Sequence, residues 1–400
     1  MGQPNIHTGV LGLDDRQLRT LVWAGAAVVM AAFNGSVLIL ALPAIAADFH
    51  AQVPQLTNLG SVLAVGALGA LPLATLADRF GRRRLIALGV AGFSMANFAS
   101  AFVQSLEALA LLRLVAVCFE SLVASVATAL IVEEAPPARR GQAVSVLALL
   151  AGAGTAITVV VYPAIAPNWR PLFFAGGIGV LLAPIVWSRL PEGRAWSHVT
   201  VSASALRVLM QPAWRSRLVL LALISALLAA MLQPAGLLFT VFASDTLHMS
   251  PIGISELIVA SGVAGAVSYL AGGYLSDRFG RRLPASLLTA GTAVAASLSF
   301  ATGTIGFVAG NVVWSAIASA ATPVFGAWSA ELFPTRARAT AEAAKAVAAA
   351  IGSIAGLQAV GLLSVSLGLG IALEVAGAAA LAGAAMVLLL PETKGAPLPD

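Results

Sequence analysis

The hexapeptide Asp-Arg-Phe-Gly-Arg-Arg occurs twice in this chain of 400 residues, at 78–83 and at 277–282, so its copies lie 199 residues apart. Each copy follows one long apolar segment and precedes another. A charged word repeated at half the chain length indicates two similar halves joined in tandem. It also marks, in each half, a place where the chain leaves an apolar environment for water.

The apolar segments are too long and too numerous for a water-soluble domain. Hydrophobic residues make up 59% of the chain and charged residues only 10%, whereas soluble domains contain about 25% charged residues. A helix of roughly 20 residues crosses a hydrocarbon core of about 30 Å. We therefore predict an all-α membrane protein with spans at 20–46, 55–77, 84–104, 108–132, 141–165, 171–190, 216–243, 252–275, 284–302, 305–330, 340–364 and 367–390.

Arginine is concentrated in the connections that follow the even-numbered spans, whereas the connections after odd-numbered spans hold essentially one, Arg170. The positive-inside rule then predicts that both termini are cytoplasmic in a multi-pass protein of the plasma membrane, the inner membrane of a bacterium. The net charge of +5 reflects this asymmetry, so no nucleic-acid partner is expected. The arginines after even-numbered spans are Arg79, Arg82, Arg83, Arg84, Arg139, Arg140, Arg194, Arg207, Arg215, Arg278, Arg281, Arg282, Arg336 and Arg338.

Two further charged words repeat at nearly the same offset. Glu-x-x-Pro-x-x-x-Arg begins at Glu133 and again at Glu331, and Leu-Pro-Glu ends at Glu192 and again at Glu392. The offsets are 198 and 200 residues. The predicted organisation is a tail at 1–19, a six-helix bundle at 20–190, a cytoplasmic linker at 191–215, a second six-helix bundle at 216–390 and a tail at 391–400.

These charged words predict a cytoplasmic gate. A carboxylate at a helix end accepts hydrogen bonds from arginine or from a helix N-terminus, and we expect Glu133 to pair with Arg140 and Glu331 with Arg338. Such pairs contribute only about 0–1 kcal/mol each, but a set made in one conformation and broken in another biases a two-state gate. The alternative is that they only fix topology and cap helices. The predicted gate comprises Asp78, Arg79, Arg82, Arg83, Glu133, Arg140, Glu192, Asp277, Arg278, Arg281, Arg282, Glu331, Arg338 and Glu392.

The repeated hexapeptide resembles the signature loop of the major facilitator superfamily. The Glu-x-x-Pro-x-x-x-Arg words and the Pro-Glu-Thr-Lys-Gly word at 391–395 resemble the cytoplasmic words of its sugar-porter and organic-ion branches. The resemblance covers the whole chain and implies two pseudo-symmetric six-helix bundles, a central cavity, alternating access and a monomeric transporter. Ala74 stands where the signature usually has Gly, which Gly273 retains in the second copy.

Span 4 carries an ionisable pair, Arg113 and Glu120. Their spacing of seven residues is about two helical turns, which places both on one face, and ionisable groups inside a membrane typically mark function. A buried carboxylate binds a proton unless a cation holds it ionised. Glu120 is therefore predicted to carry a coupling proton and Arg113 to bind either Glu120 or an anionic substrate. The pair resembles that of proton-coupled organic-anion symporters, with Val117 replacing their usual Gly; a purely structural bridge is the alternative.

Other polar residues inside the spans are candidates for substrate binding. Asn34 stands where aromatic-acid symporters and sugar porters usually have an Asp. Because Asn cannot release a proton, any proton coupling is expected to be located elsewhere or to be absent. The predicted substrate-binding residues are Arg113, Asn34, Gln233, Trp314, Gln358, Tyr269 and Asn311.

The residue pattern offers no catalytic or metal centre. Cys118 is the only cysteine, and the four histidines fall in the tail or the connections, so no enzyme, metal or cofactor is expected. We predict a secondary active transporter that couples a proton gradient to symport of a small organic anion such as a carboxylate. Alternatives are a facilitator or symporter of a neutral solute such as a sugar, or an exporter of drugs or lipids. Its expected partners are a small-molecule substrate and the lipid bilayer.

Overall fold

The computed structural model describes residues 14–135, 140–193, 207–334 and 337–394, without the side chains of 74–79, 140–141, 327 and 330. These residues form helices and no strand. The twelve long helices in these ranges are α1 (Asp15–Asp48), α2 (Val53–Phe80), α3 (Arg82–Ser100), α4 (Leu106–Glu134), α5 (Arg140–Ile165), α6 (Arg170–Arg189, with a 3₁₀ turn at Ile178–Leu181), α7 (Pro212–Val241, continued by a π turn at Phe242–Thr246), α8 (Pro251–Phe279), α9 (Arg282–Ala301), α10 (Thr304–Glu331), α11 (Arg338–Leu367) and α12 (Leu369–Val387).

Each predicted span is a helix in the structure, which confirms the all-α fold class. Within the described residues, 11 helices are long and apolar enough to cross a membrane. The remaining one, α3, has 19 residues and begins with three consecutive arginines. Several helices extend past their apolar stretch because a polar residue caps the helix N-terminus. At the start of α4, for example, Ser105 accepts a hydrogen bond of 3.2 Å from the Ala108 N–H.

Contacts group the chain into two compact units, of which the first comprises Met1–Ala41 and Gly69–Val199. In its interior, α3 packs along α4, and the buried side chains of Phe93, Val123 and Leu130 form part of the core. This packing supports the polar residues that α3 and α4 carry within the unit.

The second unit comprises Leu42–Leu68 and Thr200–Asp400. Here α11 lies directly against α7: a Cβ atom added at Gly356 would lie 1.9 Å from the Ala230 carbonyl oxygen. Small residues at such positions let membrane helices approach closely. The end of α1 and the start of α2 join this unit by their contacts, whereas the sequence repeats divide the chain at 191–215; that division into two bundles stays a prediction.

Candidate functional site

Arg113 lies at the centre of a polar cluster in the first unit. Its side chain is 1% exposed. Its Nη2 donates to Glu120 Oε1 at 3.3 Å, and its Nη1 donates to Asn97 Oδ1 at 2.7 Å. The guanidinium carbon also lies 5.8 Å from the centre of the Phe173 ring. The pair that the spacing placed on one face of α4 is therefore in contact, and its role in coupling stays a prediction.

Helices α1 and α6 close around the same cluster. A Cβ atom at Gly35 would lie 3.5 Å from Glu120 Oε2. A Cβ atom at Gly176 would lie 2.0 Å from Asn34 Oδ1 and 3.5 Å from the Asn97 Cβ. Four helices thus converge on Asn34, Asn97, Arg113 and Glu120, which we call the Arg113 cluster.

The Arg113 cluster contains buried polar atoms without partners among the described residues. Asn34 Nδ2 donates to the Met30 carbonyl at 2.9 Å, but Asn34 Oδ1 and Arg113 Nε lack a hydrogen-bond partner there. Buried polar atoms in folded proteins are almost always paired. The cluster therefore offers one acceptor and one cationic donor that a bound molecule could satisfy.

The other predicted substrate-binding residues lie in the second unit. On α10, Asn311 Nδ2 and Trp314 Nε1 are buried donors without a partner in the described part of the chain. Gln358 on α11 donates at 2.9 Å to both Asn58 and Ser61 on α2.

Gln233 on α7 and Tyr269 on α8 are exposed. The structure therefore brings Asn34, Arg113 and Glu120 together in one cluster, and the hydrogen bonds described for the second-unit candidates do not join them to each other.

At the start of α9, the predicted gate residues form a compact arrangement. Gly280 has a φ of 91°, which only glycine adopts readily. After this turn, the first N–H groups of α9 face Glu392. The Glu392 carboxylate accepts hydrogen bonds from the N–H groups of Arg281 at 2.9 Å and Arg282 at 3.0 Å. Burial raises the pKa of Glu392, but its backbone hydrogen bonds, chiefly from Arg281, outweigh burial and lower that pKa overall. Arg281 in turn pairs with Glu331 at 3.1 Å.

The first half repeats this arrangement at the start of α3. Gly81 has a φ of 90°, and Glu192 accepts a hydrogen bond of 3.2 Å from the Arg83 N–H. Arg82 forms an ion pair with Glu133, as Arg281 does with Glu331. The three repeated words therefore meet in space in both halves.

One predicted pairing is wrong. Arg338 Nε donates to the Phe333 carbonyl at 3.1 Å instead of to Glu331. Glu331 ends α10 and Arg338 begins α11, so the two residues do not share a helix. The Glu331 carboxylate pairs with Arg281 instead. Asp277 pairs with Arg281 at 3.2 Å, and Arg278 bonds Tyr274 on its own helix. The side chains of Asp78, Arg79 and Arg140 lie outside the described residues.

Sequence reasoning missed Arg16, which belongs to none of the repeated words. Its Nε donates to Glu134 at 3.2 Å, and its Nη2 donates to the Glu192 carbonyl. Asn97 was recognisable only as a polar residue inside span 3, and neither Phe173 nor Gly176 carries a signal that would place it beside Arg113.

Comparison with known proteins decides the family. The model of the Major Facilitator Superfamily matches residues 24–243 and 218–400. The chain belongs to the major facilitator superfamily. It is therefore a multi-pass integral membrane transporter of the bacterial inner membrane rather than an enzyme.

Several curated superfamily members are similar to the chain. It is 27% identical over 378 residues to the "Probable 4-methylmuconolactone transporter" of Cupriavidus pinatubonensis, covering 88% of this chain and 86% of that one. It is 29% identical over 227 residues to the tetracenomycin C resistance and export protein of Streptomyces glaucescens, covering 52% and 42%. It is 30% identical over 161 residues to the 3-(3-hydroxy-phenyl)propionate transporter of Escherichia coli, covering 39% and 40%. The chain thus spans less than half the length of the last two relatives.

Solved structures share the superfamily fold. A bacterial homologue of the human lysosomal transporter Spinster, in its inward-facing and unoccupied conformation, matches with a TM-score of 0.79 and 18% identity, over 94% of this chain and 97% of that one. The Escherichia coli xylose transporter XylE, in its inward open conformation, matches with a TM-score of 0.74 and 18% identity over the same shares. At this identity the likeness concerns the fold alone.

Proposed function

We propose that this transporter is a proton-coupled symporter of small organic anions that carry a carboxylate. The observation that carries the proposal is the buried guanidinium of Arg113, which Glu120 and Asn97 share while Arg113 Nε has no partner among the described residues. A buried arginine with spare donor capacity suits a carboxylate ligand, because its planar fork matches two carboxylate oxygens.

Coupling follows from competition for this guanidinium. Without substrate, Arg113 stabilises the ionised form of Glu120, since two unit charges about 4 Å apart attract by about 4 kcal/mol at an effective dielectric constant of about 20. A substrate carboxylate that binds Arg113 weakens this attraction. Glu120 then binds a proton, because an unpaired charge inside the membrane is costly. Substrate and proton therefore load together.

Neighbouring groups support this assignment. Asn34 Oδ1, which has no hydrogen-bond partner among the described residues, provides an acceptor for a donor group of the substrate. Phe173 presents an aromatic face beside Arg113. Asn34 cannot release a proton, so Glu120 is the coupling carboxylate of this cluster. Two relatives bear the names of a 4-methylmuconolactone transporter and a 3-(3-hydroxy-phenyl)propionate transporter, which agrees with small organic substrates.

The duplicated arrangements at Gly81 and Gly280 are the proposed gate. In each arrangement, one carboxylate accepts a hydrogen bond from a backbone N–H at the start of a helix, and a neighbouring arginine pairs with a second carboxylate. Making and breaking such a set biases one of two conformations, which is what alternating access requires.

Export of an organic compound is the second candidate. It is favoured by the similarity to the tetracenomycin C resistance and export protein, 29% identical over 52% of this chain. An exporter would use the same fold and gate but would not require a carboxylate on its substrate.

A ligand-stabilisation screen of the purified transporter separates these candidates. Organic acids, neutral sugars and cationic drugs would be tested by thermal shift, where a ligand at 100 times its Kd stabilises by about 2.7 kcal/mol. We expect carboxylates to stabilise the wild type and to lose this effect in the double variant Arg113→Gln/Glu120→Gln. The double variant removes both charges together, so neither is left buried and unpaired.

Glu374→Gln, which neutralises a carboxylate within the apolar helix α12, serves as the matched control and should keep the stabilisation. Stabilisation by neutral sugars alone would overturn the anion proposal, and stabilisation by cationic drugs alone would favour export.

A further inference from the structure

An apolar cleft of about 350 Å³ lies between α3 and α6 in the first unit. Its lining residues are all apolar: Ala87, Leu88, Ala91, Ala183, Pro184 and Trp187. Leu88 is 54% exposed and Trp187 is 43% exposed, so the cleft is open along its side. In a multi-pass membrane protein an apolar surface of this kind is surrounded by lipid chains.

A positive charge stands at one end of this cleft. Residues 84, 87, 88 and 91 follow the spacing of a single helix face, so Arg84 lies on the lining face of α3, one turn before Ala87. The Arg84 guanidinium carbon lies 5.9 Å from the centre of the Trp187 ring. Tryptophan and arginine together are typical of the boundary between hydrocarbon and lipid headgroups.

Arg84 differs from the two arginines that precede it. Arg82 pairs with Glu133, and Arg83 lies 3.7 Å from Glu192. Arg84 is exposed and has no carboxylate partner within the described ranges. Its charge is therefore available to a ligand outside the helix bundle.

The second half lacks both features. Leu283 stands 199 residues after Arg84, and Val387 stands 200 residues after Trp187. Because the gate arrangement is duplicated and this pair is not, Arg84 and Trp187 are not part of the repeated gate.

We propose that this cleft binds an anionic phospholipid of the adjacent leaflet. One acyl chain lies along the apolar walls formed by Ala87, Ala91 and Pro184, and the headgroup phosphate binds Arg84 beside Trp187. The charge of Arg84 selects an anionic over a zwitterionic headgroup, and one basic residue near a membrane surface provides about a fivefold preference.

Native mass spectrometry of the full chain in detergent tests the site. Phosphatidylglycerol and phosphatidylcholine with identical acyl chains would be added at equal concentration to the wild type, to Arg84→Ala and to Arg215→Ala. Arg215 is exposed on α7, is not among the residues that line the cleft, and provides a matched loss of charge. We expect the wild type and Arg215→Ala to retain about five times more phosphatidylglycerol than phosphatidylcholine. Arg84→Ala should retain the two lipids equally.

A second variant tests the apolar part of the cleft. Ala91→Leu fills the groove but keeps Arg84, and it should lower retention of both lipids. An unchanged lipid preference in Arg84→Ala, or an equal loss in Arg215→Ala, would overturn the proposal. Displacement of phosphatidylglycerol by an equal concentration of glycerol 3-phosphate would also overturn it, because the site would then bind phosphate without an acyl chain. None of these readouts depends on transport.

Discussion

Replacing Glu331 by Gln is expected to destabilise the protein several times more than replacing Asp277 by Asn. Both carboxylates bond Arg281, but the Glu331 side chain is 22% exposed and the Asp277 side chain is 79% exposed. Hydrogen bonds to a charged group contribute about 1.5–3 kcal/mol each when protected from water, whereas exposed pairs at i,i+4 contribute about 0.3–0.5 kcal/mol. We therefore expect losses of about 2 kcal/mol for Glu331→Gln and below about 0.5 kcal/mol for Asp277→Asn.

Denaturant unfolding in detergent micelles, followed by tryptophan fluorescence, measures both losses. A cycle with Arg281→Gln isolates the pair, because Glu331→Gln should cost little once its partner is neutral. The same cycle on Arg82 and Glu133 should give a coupling of the same sign, since that pair occupies the equivalent place in the first half. Equal losses for Glu331→Gln and Asp277→Asn, or zero coupling with Arg281, would refute this reasoning.

Three further expectations concern single positions. Gly280→Ala should lower the free energy of unfolding by about 1–3 kcal/mol because residue 280 has a positive φ and because the new Cβ would lie 2.6 Å from Glu392. Gly273→Ala is the control: a Cβ there would have nothing within 4 Å, so it should be neutral or stabilising. Equal shifts in Tm for the two variants would contradict this prediction. The pKa of Glu392 is lowered in the folded protein, so ionised Glu392 stabilises the fold fully above about pH 4.3, the ordinary glutamate pKa. This stabilisation is lost as pH falls through the folded-state pKa. The Tm difference between wild type and Glu392→Gln should therefore shrink at low pH, and a constant difference would argue against this reasoning. Gln358→Leu removes two hydrogen bonds of 2.9 Å and should cost about 1–2 kcal/mol by denaturant unfolding, whereas the exposed Gln233→Leu should cost less than half of that.

The helices and the duplicated words were readable from the sequence because both depend on local pattern. An apolar run of membrane length predicts a helix wherever it occurs, so even α3, with arginines at its start, was found. The agreement of three offsets indicates which elements of the two halves are equivalent. At both helix starts an equivalent glutamate accepts a backbone hydrogen bond, Glu192 at α3 and Glu392 at α9.

Partners that come from different helices could not be predicted in this way. The sequence suggested Arg338 for Glu331 because they are neighbours along the chain, but the nearer guanidinium in space is that of Arg281. Likewise, the Arg113–Glu120 spacing identified one helix face, whereas the contact with Asn97 depends on how α3 packs against α4. Helix packing follows from the fit of many small side chains, which no single motif encodes.

Proton movement driven by substrate in proteoliposomes tests the central claim most directly. With a carboxylate identified by the stabilisation screen, the wild type and Glu374→Gln should take up protons together with substrate. Glu120→Gln should exchange labelled substrate across the membrane, which shows that it is folded, but without net proton movement. Proton uptake by Glu120→Gln at the wild-type rate would contradict coupling through the Arg113 cluster.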